Sequence, residues 1–211
     1  MGLANWYDRH IMPRLITCAC GQEGIEKRRR QIVPLARGRV FEIGCGGGLN
    51  QPLYDRDAVS ALAGIDPHER LLENARKQAR DKGWEVDLRQ GVGEDIPFPA
   101  SSFDTVVCTY TLCSVQDQAK VISEMFRILR PDGQLLFLEH GRAPDESVAK
   151  WQRRIEPVWK PLAGGCHLTR PIGSALRGGG FEVVPMGQAY LDKTPRVMGW
   201  MEWGRALKRG G

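Results

Sequence analysis

The sequence has no cysteine pair at the C-x-x-C spacing, although six cysteines occur among its 211 residues. Zinc ribbons and thioredoxin-like redox sites need that spacing, so no metal site is predicted and free thiols are expected. The chain also has no apolar run of the ~18–20 residues that span a bilayer, and no basic signal-peptide region at its start. These absences predict a globular, cytoplasmic protein without a transmembrane segment.

Two common nucleotide-binding signatures are missing as well. The dinucleotide fingerprint G-x-G-x-x-G would need a glycine at position 49, where the chain has Leu49. The sequence contains no G-x-x-x-x-G-K-[ST] phosphate loop. A nicotinamide, flavin or ATP site is therefore not favoured.

The chain does contain an alternation of short apolar runs with helical patterns, which is typical of a doubly wound α/β sheet. Predicted strands cover residues 39–43, 60–66, 84–90, 103–109 and 134–140, and an antiparallel edge hairpin covers 181–186 and 195–203. Predicted helices cover residues 67–82 and 117–130. A further amphipathic helix around Trp151 is expected to be cut into pieces by Pro157 and Pro161.

The net charge of +5 is unevenly distributed along the chain. Residues 1–40 carry 8 basic and 3 acidic side chains, residues 41–140 carry 10 and 16, and residues 141–211 carry 12 and 6. The basic flanks either face an anionic partner or pack against the acidic centre, and the sequence leaves both interpretations open.

The first predicted strand runs into the motif Glu42-x-Gly44-x-Gly46-x-Gly48, and the second ends in Asp66. The motif resembles the first motif of the class I methyltransferases that use S-adenosylmethionine. Later segments of that family, in the same order, are similar to Gly93-Glu94-Asp95-Ile96-Pro97, Ser102-Phe103-Asp104-Thr105-Val106-Val107 and Arg130-Pro131-Asp132-Gly133-Gln134-Leu135. The resemblance implies a Rossmann-like α/β fold with a seven-stranded, mostly parallel sheet, an antiparallel edge hairpin and helices on both faces.

The resemblance also implies a site for S-adenosylmethionine, with S-adenosylhomocysteine as the product. We expect one domain over residues 1–211, formed by an N-terminal helical cap (1–38), a cofactor-binding core (39–140) and acceptor-side helices and edge strands (141–211). In the family, the glycine loop approaches the methionine part, an acid after the second strand holds the ribose, and a later segment contacts adenine. The expected cofactor residues are Glu42, Gly44, Cys45, Gly46, Gly48, Asp66, Pro67, Gly93, Glu94, Asp95 and Thr109.

Further matching segments lie beyond the cofactor residues: Val107–Val115, Glu139-His140, Trp151-Gln152, Glu156–Lys160 and Gly165–Arg170. Together they resemble the mammalian alkyl thiol S-methyltransferases, the methyltransferase-like seven family, over about residues 40–180. This resemblance implies a small-molecule acceptor that is methylated on a thiol sulfur. Those relatives carry an N-terminal hydrophobic membrane anchor, which we do not expect in this chain.

A thiol reacts as its thiolate, so the acceptor site is expected to offer a base or a cation. His140 follows the fifth strand at the carboxyl edge of the sheet and is the expected base; alternatively, it caps the strand end through a hydrogen bond. Arg170 is the second expected catalytic residue, or else it pairs with Glu156. The expected acceptor-binding residues are Tyr7, Tyr110, His140, Trp159, His167, Thr169 and Arg170.

Other side chains are given structural roles. Cys108, Cys113 and Cys166 are expected to be small buried hydrophobes, and Trp151 and Trp159 to belong to the core or a pocket wall. Methylation of a phospholipid amine or of a quinone, and a catalytically inactive cofactor-binding protein, remain alternatives. Peripheral contact with a membrane is compatible with the basic flanks. A nucleic-acid partner is not expected, and the sequence does not predict the oligomeric state.

Overall fold

The structure, a computed structural model, describes residues 23–208. Tyr7 and most of the expected N-terminal cap lie outside this range. The helices are α1 (Glu23–Ile32), α2 (Glu69–Asp81), α3 (Gln118–Ile128), α4 (Glu146–Leu162), α5 (Ile172–Gly178) and α6 (Arg196–Gly199). The strands are β1 (Gly38–Ile43), β2 (Val59–Asp66), β3 (Val86–Gln90), β4 (Phe103–Thr109), β5 (Leu129–His140), β6 (Phe181–Tyr190) and β7 (Trp200–Lys208).

The seven strands form one sheet in the order β3-β2-β1-β4-β5-β7-β6. β1 to β5 are parallel, whereas β7 pairs antiparallel with both β5 and β6. The direction in which strands are added reverses between β1 and β4, and ligands of open α/β sheets bind outside the carboxyl ends of strands at such a point. The predicted fold class is confirmed.

Both faces of the sheet are covered, which explains why β4 is buried along most of its length and β1 from Val40 to Ile43. On one face, Val121 and Met125 of α3 and Leu176 of α5 pack over the buried side chain of Phe41. On the other face, Ile32 of α1 packs in a second cluster formed by the following residues: Val33, Ala36, Val40, Tyr54, Val59, Leu62, Val107 and Leu136. The carboxyl edge of the sheet is thereby held between two rigid layers.

The edge hairpin forms, but its second strand lies further along the chain than the predicted 195–203. Pro195 has no N–H group to donate to a ladder, and residues 196–199 form the short helix α6. β7 therefore begins at Trp200, and Met201 pairs with His140 at the end of β5. The first edge strand extends to Tyr190 instead of ending at residue 186.

The prediction that prolines cut the helix after Trp151 is wrong. α4 is continuous through Pro157 and Pro161, and both prolines lie on its exposed side. The carbonyl oxygens that lose a helical donor there are close to solvent, so their hydrogen bonds can be made by water. Trp151 is 55% exposed and does not belong to the core, contrary to expectation, while Trp159 is half-buried.

The connection between α3 and β5 is shorter than predicted. α3 ends at Ile128 instead of Arg130, and β5 begins at Leu129, which pairs with Phe103 of β4. Asp132 then turns the chain with a φ of 62° before the main β4–β5 ladder resumes. Within residues 23–208, no helix is both long enough and apolar enough to cross a membrane.

Candidate functional site

The glycine loop follows β1 at the carboxyl edge of the sheet. Gly44, Gly46 and Gly48 have φ angles of 65°, 52° and 84°, which side chains rarely tolerate. A Cβ atom at Gly44 would collide with the side chain of Thr111, whereas a Cβ atom at Gly46 or Gly47 would meet nothing within 4 Å. The loop is therefore packed on its inner side and open at its middle, where a ligand can approach the backbone.

Asp66 ends β2 beside this loop and is only 6% exposed. Its Oδ2 atom accepts a hydrogen bond from the backbone N–H of Gly46 at 2.9 Å, and Oδ1 accepts one from His68 at 2.8 Å. Burial raises the pKa of this carboxyl, and the two backbone donors oppose the rise. Each oxygen keeps further acceptor capacity, while the adjacent Pro67 is exposed.

A buried polar network lies beneath the glycine loop. Glu42 accepts hydrogen bonds from Asn50 Nδ2 and from the Tyr54 hydroxyl, both at 2.8 Å. Arg29 of α1 donates to Asn50 Oδ1 at 2.5 Å and to the Thr109 hydroxyl at 3.0 Å. The basic run at residues 27–30 thus sends one cation inward, to the ends of β1 and β4.

Glu42 makes the stability of the fold depend on pH. Its complete burial, opposed by Tyr54, Arg29 and Asn50, raises the pKa from 4.5 to about 7. The folded chain therefore holds this proton more tightly than the unfolded chain, and stability falls as the pH rises between these two values. We expect a decrease of roughly 2–4 kcal/mol in the free energy of unfolding across this window, measured by urea denaturation.

The variant Glu42→Gln is expected to lose this decrease, because its amide does not titrate. The exposed acid Glu73 on α2 offers the matched control, and Glu73→Gln should keep the pH dependence of the unmodified chain. An unchanged decrease in Glu42→Gln would show that Glu42 stays ionised in the folded state over the whole range.

The segment expected to contact adenine, residues 93–97, is attached to the start of α3 through the Glu94 carboxylate. Glu94 Oε1 accepts the backbone N–H groups of Gln116 and Asp117 at 2.9 and 3.0 Å, so this side chain holds the start of α3. Gly93 is buried, and a Cβ atom there would press against Ile43. Asp95 is exposed at the same edge and is the member of the segment that is open to a ligand.

A residue outside the expected set, Glu139, organises the loop after β4. It is fully buried and accepts the backbone N–H groups of Thr111, Leu112 and Cys113 at 2.8, 3.1 and 3.2 Å. Burial raises the pKa of Glu139, and these donors oppose the rise. Tyr110 precedes the bound amides with a φ of 58°. The only sign of this role in the sequence is the position of Glu139 directly before His140, at the end of the predicted fifth strand.

His140 ends β5 and is 5% exposed. Its Nδ1 atom lies 3.5 Å from Cys166 Sγ, so the ring contacts a thiol on the segment after α4. Within residues 23–208, its Nε2 atom is buried and has no hydrogen-bond partner. The ring thus contacts Cys166 through one nitrogen, while within residues 23–208 the other is buried without a hydrogen-bond partner.

Two charged side chains, Glu156 and Arg170, hold the segment 166–170 against its surroundings. Glu156 of α4 accepts the backbone N–H and hydroxyl of Thr169 at 2.9 and 2.7 Å, and contacts His167 Nδ1 at 3.1 Å. Arg170 donates to the carbonyl oxygens of Leu112 and Val115 at 2.5 and 2.6 Å. Arg170 therefore clamps the loop after β4 through its carbonyls, instead of forming a hydrogen bond to Glu156.

Two aromatic residues expected at the acceptor site, Tyr110 and Trp159, lie on different elements of the fold. The Tyr110 hydroxyl contacts Met201 Sδ at 3.0 Å, and Arg29 lies 5.8 Å from the centre of its ring. Trp159 approaches Cys166 from α4. The residues expected to bind the cofactor thus lie at or after the ends of β1, β2, β3 and β4, and the expected acceptor residues Tyr110 and His140 lie at the ends of β4 and β5.

The chain's residues fit S-adenosylmethionine. The open approach at Gly46 and Gly47 suits a ligand that lies against backbone, and the spare acceptor capacity of Asp66 suits ribose hydroxyl groups. The bound cofactor supplies an electrophilic methyl group. The Glu42 carboxylate accepts hydrogen bonds from Asn50 and Tyr54, so its expected role toward the cofactor is to support the loop and not to contact the ligand directly.

Known proteins share this sequence and fold. The model of the family "Methyltransferase domain" matches residues 41–137. Thiol S-methyltransferase TMT1B from Rattus norvegicus is 36% identical over 168 residues, which cover 76% of this chain and 68% of the relative. Phosphatidylethanolamine N-methyltransferase from Cereibacter sphaeroides is 34% identical over 139 residues, covering 64% and 68%. Among solved structures, YcgJ from Bacillus subtilis superposes with a TM-score of 0.73 at 18% identity, over 89% of this chain and 99% of YcgJ.

The low identity to YcgJ limits that likeness to the fold, whereas TMT1B matches 76% of this chain at 36% identity. Both the recognition of the family and the cofactor prediction are confirmed. The chain therefore belongs to the class I S-adenosylmethionine-dependent methyltransferases, and within them it resembles the thiol S-methyltransferases.

Proposed function

We propose that this methyltransferase acts on a small-molecule thiol and produces a methyl thioether. The observation that carries the proposal is the buried, unpartnered Nε2 atom of His140 at the carboxyl end of β5, within residues 23–208. A thiol bound there meets a proton acceptor in a site largely closed to water. The similarity to TMT1B, whose name states thiol S-methylation, supports the same acceptor class.

In this mechanism, His140 removes the thiol proton and Cys166 orients His140. The Nδ1–H tautomer donates to Cys166 Sγ across the 3.5 Å contact and leaves the Nε2 lone pair for the acceptor. A negative charge on Cys166 then stabilises the imidazolium that forms, as the carboxylate does in a Ser-His-Asp triad. S-adenosylmethionine, when bound, would supply the methyl group to the thiolate that His140 generates, and the role of the chain is to hold the two reactants in proximity.

The decisive experiment measures methyl transfer from labelled S-adenosylmethionine to four acceptors: an alkyl thiol, an aryl thiol, phosphatidylethanolamine vesicles and a quinol. We expect label in the thiols alone. His140→Asn should lower kcat for the thiol by about 100-fold, the lower end of the usual contribution of a general base, while cofactor affinity stays unchanged. Full activity of His140→Asn on the thiol would contradict the role of this residue.

A phospholipid amine is the second candidate, because the relative from Cereibacter sphaeroides is named as a phosphatidylethanolamine N-methyltransferase. The same panel separates the two candidates. Label in the vesicles and none in the thiols would replace the thiol proposal with the amine. Cofactor binding without transfer to any of the four would reject both.

A further inference from the structure

Two thiols meet beside His140. Cys113 lies in the loop after β4 and is 2% exposed, whereas Cys166 is partly exposed on the segment after α4. The backbone N–H of His167 donates to the Cys113 carbonyl at 2.8 Å, which places the two chain segments side by side. The two thiols lie on these adjacent segments, near enough for each to shift the pKa of the other.

The groups that face this pair favour a thiolate on Cys166. The neighbouring Cys113 and the contact with His140 lower the pKa of the Cys166 thiol against the opposing effect of burial. The contact with Cys166, together with burial, raises the pKa of Cys113, so the shared proton stays on Cys113.

Some charged groups around the two thiols favour a thiolate and others disfavour it. Arg170 is the fixed cation near both thiols, and Glu156 is the nearest carboxylate on α4 that faces this cation. The Glu139 carboxylate faces Cys113 and disfavours a charge there. The result is a partly exposed Cys166 thiol with a lowered pKa beside a buried Cys113 thiol with a raised pKa.

Cys45 and Cys108 provide a contrast within the same chain. Both are buried, and burial raises the pKa of each thiol. Cys108 donates to Glu139 at 3.2 Å, so its closest polar partner is an acid instead of a cation or an imidazole. These two thiols are expected to be inert and serve as internal references.

We propose that Cys166 and Cys113 form a reactive dithiol that exchanges with small-molecule disulfides. The Cys166 thiolate attacks one sulfur of the disulfide, a mixed disulfide forms on Cys166, and one small thiolate leaves. Cys113 then loses its proton and attacks Cys166 Sγ, which forms the Cys113–Cys166 disulfide and releases the second thiolate. The protein dithiol is oxidised by two electrons, and the small disulfide is reduced to two thiols.

The reaction would act on the acceptor side of the fold. The new disulfide would tie the loop after β4 to the segment 166–170 and remove the sulfur charge that faces His140 Nδ1. Methyl transfer should therefore fall on oxidation and return on reduction by a dithiol. The exchange itself needs no methyl transfer, so it can be tested whether or not the acceptor is a thiol.

Oxidised glutathione is the probe, and the whole folded chain is mapped by peptide mass spectrometry without reduction. We expect a Cys113–Cys166 cross-link in the unmodified protein and a stable mixed disulfide on Cys166 in Cys113→Ser. In Cys166→Ser, Cys113 should stay unmodified. Cys45 and Cys108 should remain free in every sample.

A second measurement uses the unmodified chain, so it remains informative if the cysteine variants fail to fold. Alkylation of Cys166 by iodoacetamide in the otherwise unmodified chain should be at least about 10-fold faster at pH 6 than that of Cys45 or Cys108, because it reports the thiolate fraction. His140→Asn should slow the alkylation of Cys166. Equal rates at the three thiols, or glutathione on Cys113 with Cys166 free, would overturn the proposal.

Discussion

Asp66→Ala should weaken binding of S-adenosylmethionine by about 100-fold, which corresponds to about 2.7 kcal/mol. The substitution removes the carboxylate that would hold the ribose hydroxyls. It also leaves the backbone N–H groups of Gly46 and His68 without their acceptor. The glycine loop then loses one hydrogen bond to β2 but keeps the one from the Cys45 N–H to the Ile65 carbonyl oxygen. The ligand contact and part of the preformed loop are therefore lost together. Isothermal titration calorimetry with S-adenosylhomocysteine measures the change directly.

Asp81→Ala is the matched control, because this acid lies at the exposed end of α2. Its affinity for the cofactor product should equal that of the unmodified chain. Asp66→Asn should fall between the two variants, since it keeps an acceptor oxygen but loses the charge. Binding by Asp66→Ala within about threefold of the unmodified chain would place the ribose elsewhere.

Glu139→Ala is expected to cost about 3–5 kcal/mol of unfolding free energy. Three backbone N–H groups, those of Thr111, Leu112 and Cys113, lose their acceptor at once in a site that water does not reach. Relief of the desolvated carboxylate offsets part of this loss. Urea denaturation near neutral pH measures the difference.

Glu139→Gln tests whether the hydrogen bonds or the charge carry this effect. Its side-chain carbonyl can still accept from Thr111 and Leu112, so we expect a cost of only about 1–2 kcal/mol. If the glutamine and alanine variants were equally unstable, the negative charge itself would be the source of the stability.

Sequence spacing was sufficient to predict the position of residues that lie close together in the chain, such as the glycine turn after β1 and the acid at the end of β2. The glycines after β1 and the acid after β2 follow from what a strand-to-helix turn and a ribose require of nearby residues. Glu42 shows the limit of this argument, because only the structure shows Asn50 and Tyr54 on its oxygens.

Contacts between distant segments could not be predicted. His140, Cys113 and Cys166 lie on three separate elements, and no periodicity in the sequence indicates that their side chains meet. Cys113 and Cys166 were expected to be buried hydrophobes, a description that suits Cys108 better than Cys166, which is partly exposed and contacts a histidine. In the same way, the carbonyl-binding role of Arg170 depends on a loop more than fifty residues earlier.

The network of Arg29, Asn50 and Thr109 has a consequence for how the protein acquires its cofactor. The residues in its three hydrogen bonds are 21, 59 and 80 positions apart, so this network has a high contact order. It forms only when α1, β1 and β4 have all packed together. Partly folded chains should therefore lack affinity for the cofactor. By mass action, cofactor at 100 times its Kd should add about 2.7 kcal/mol to global stability, and amide exchange should slow as far away as α1.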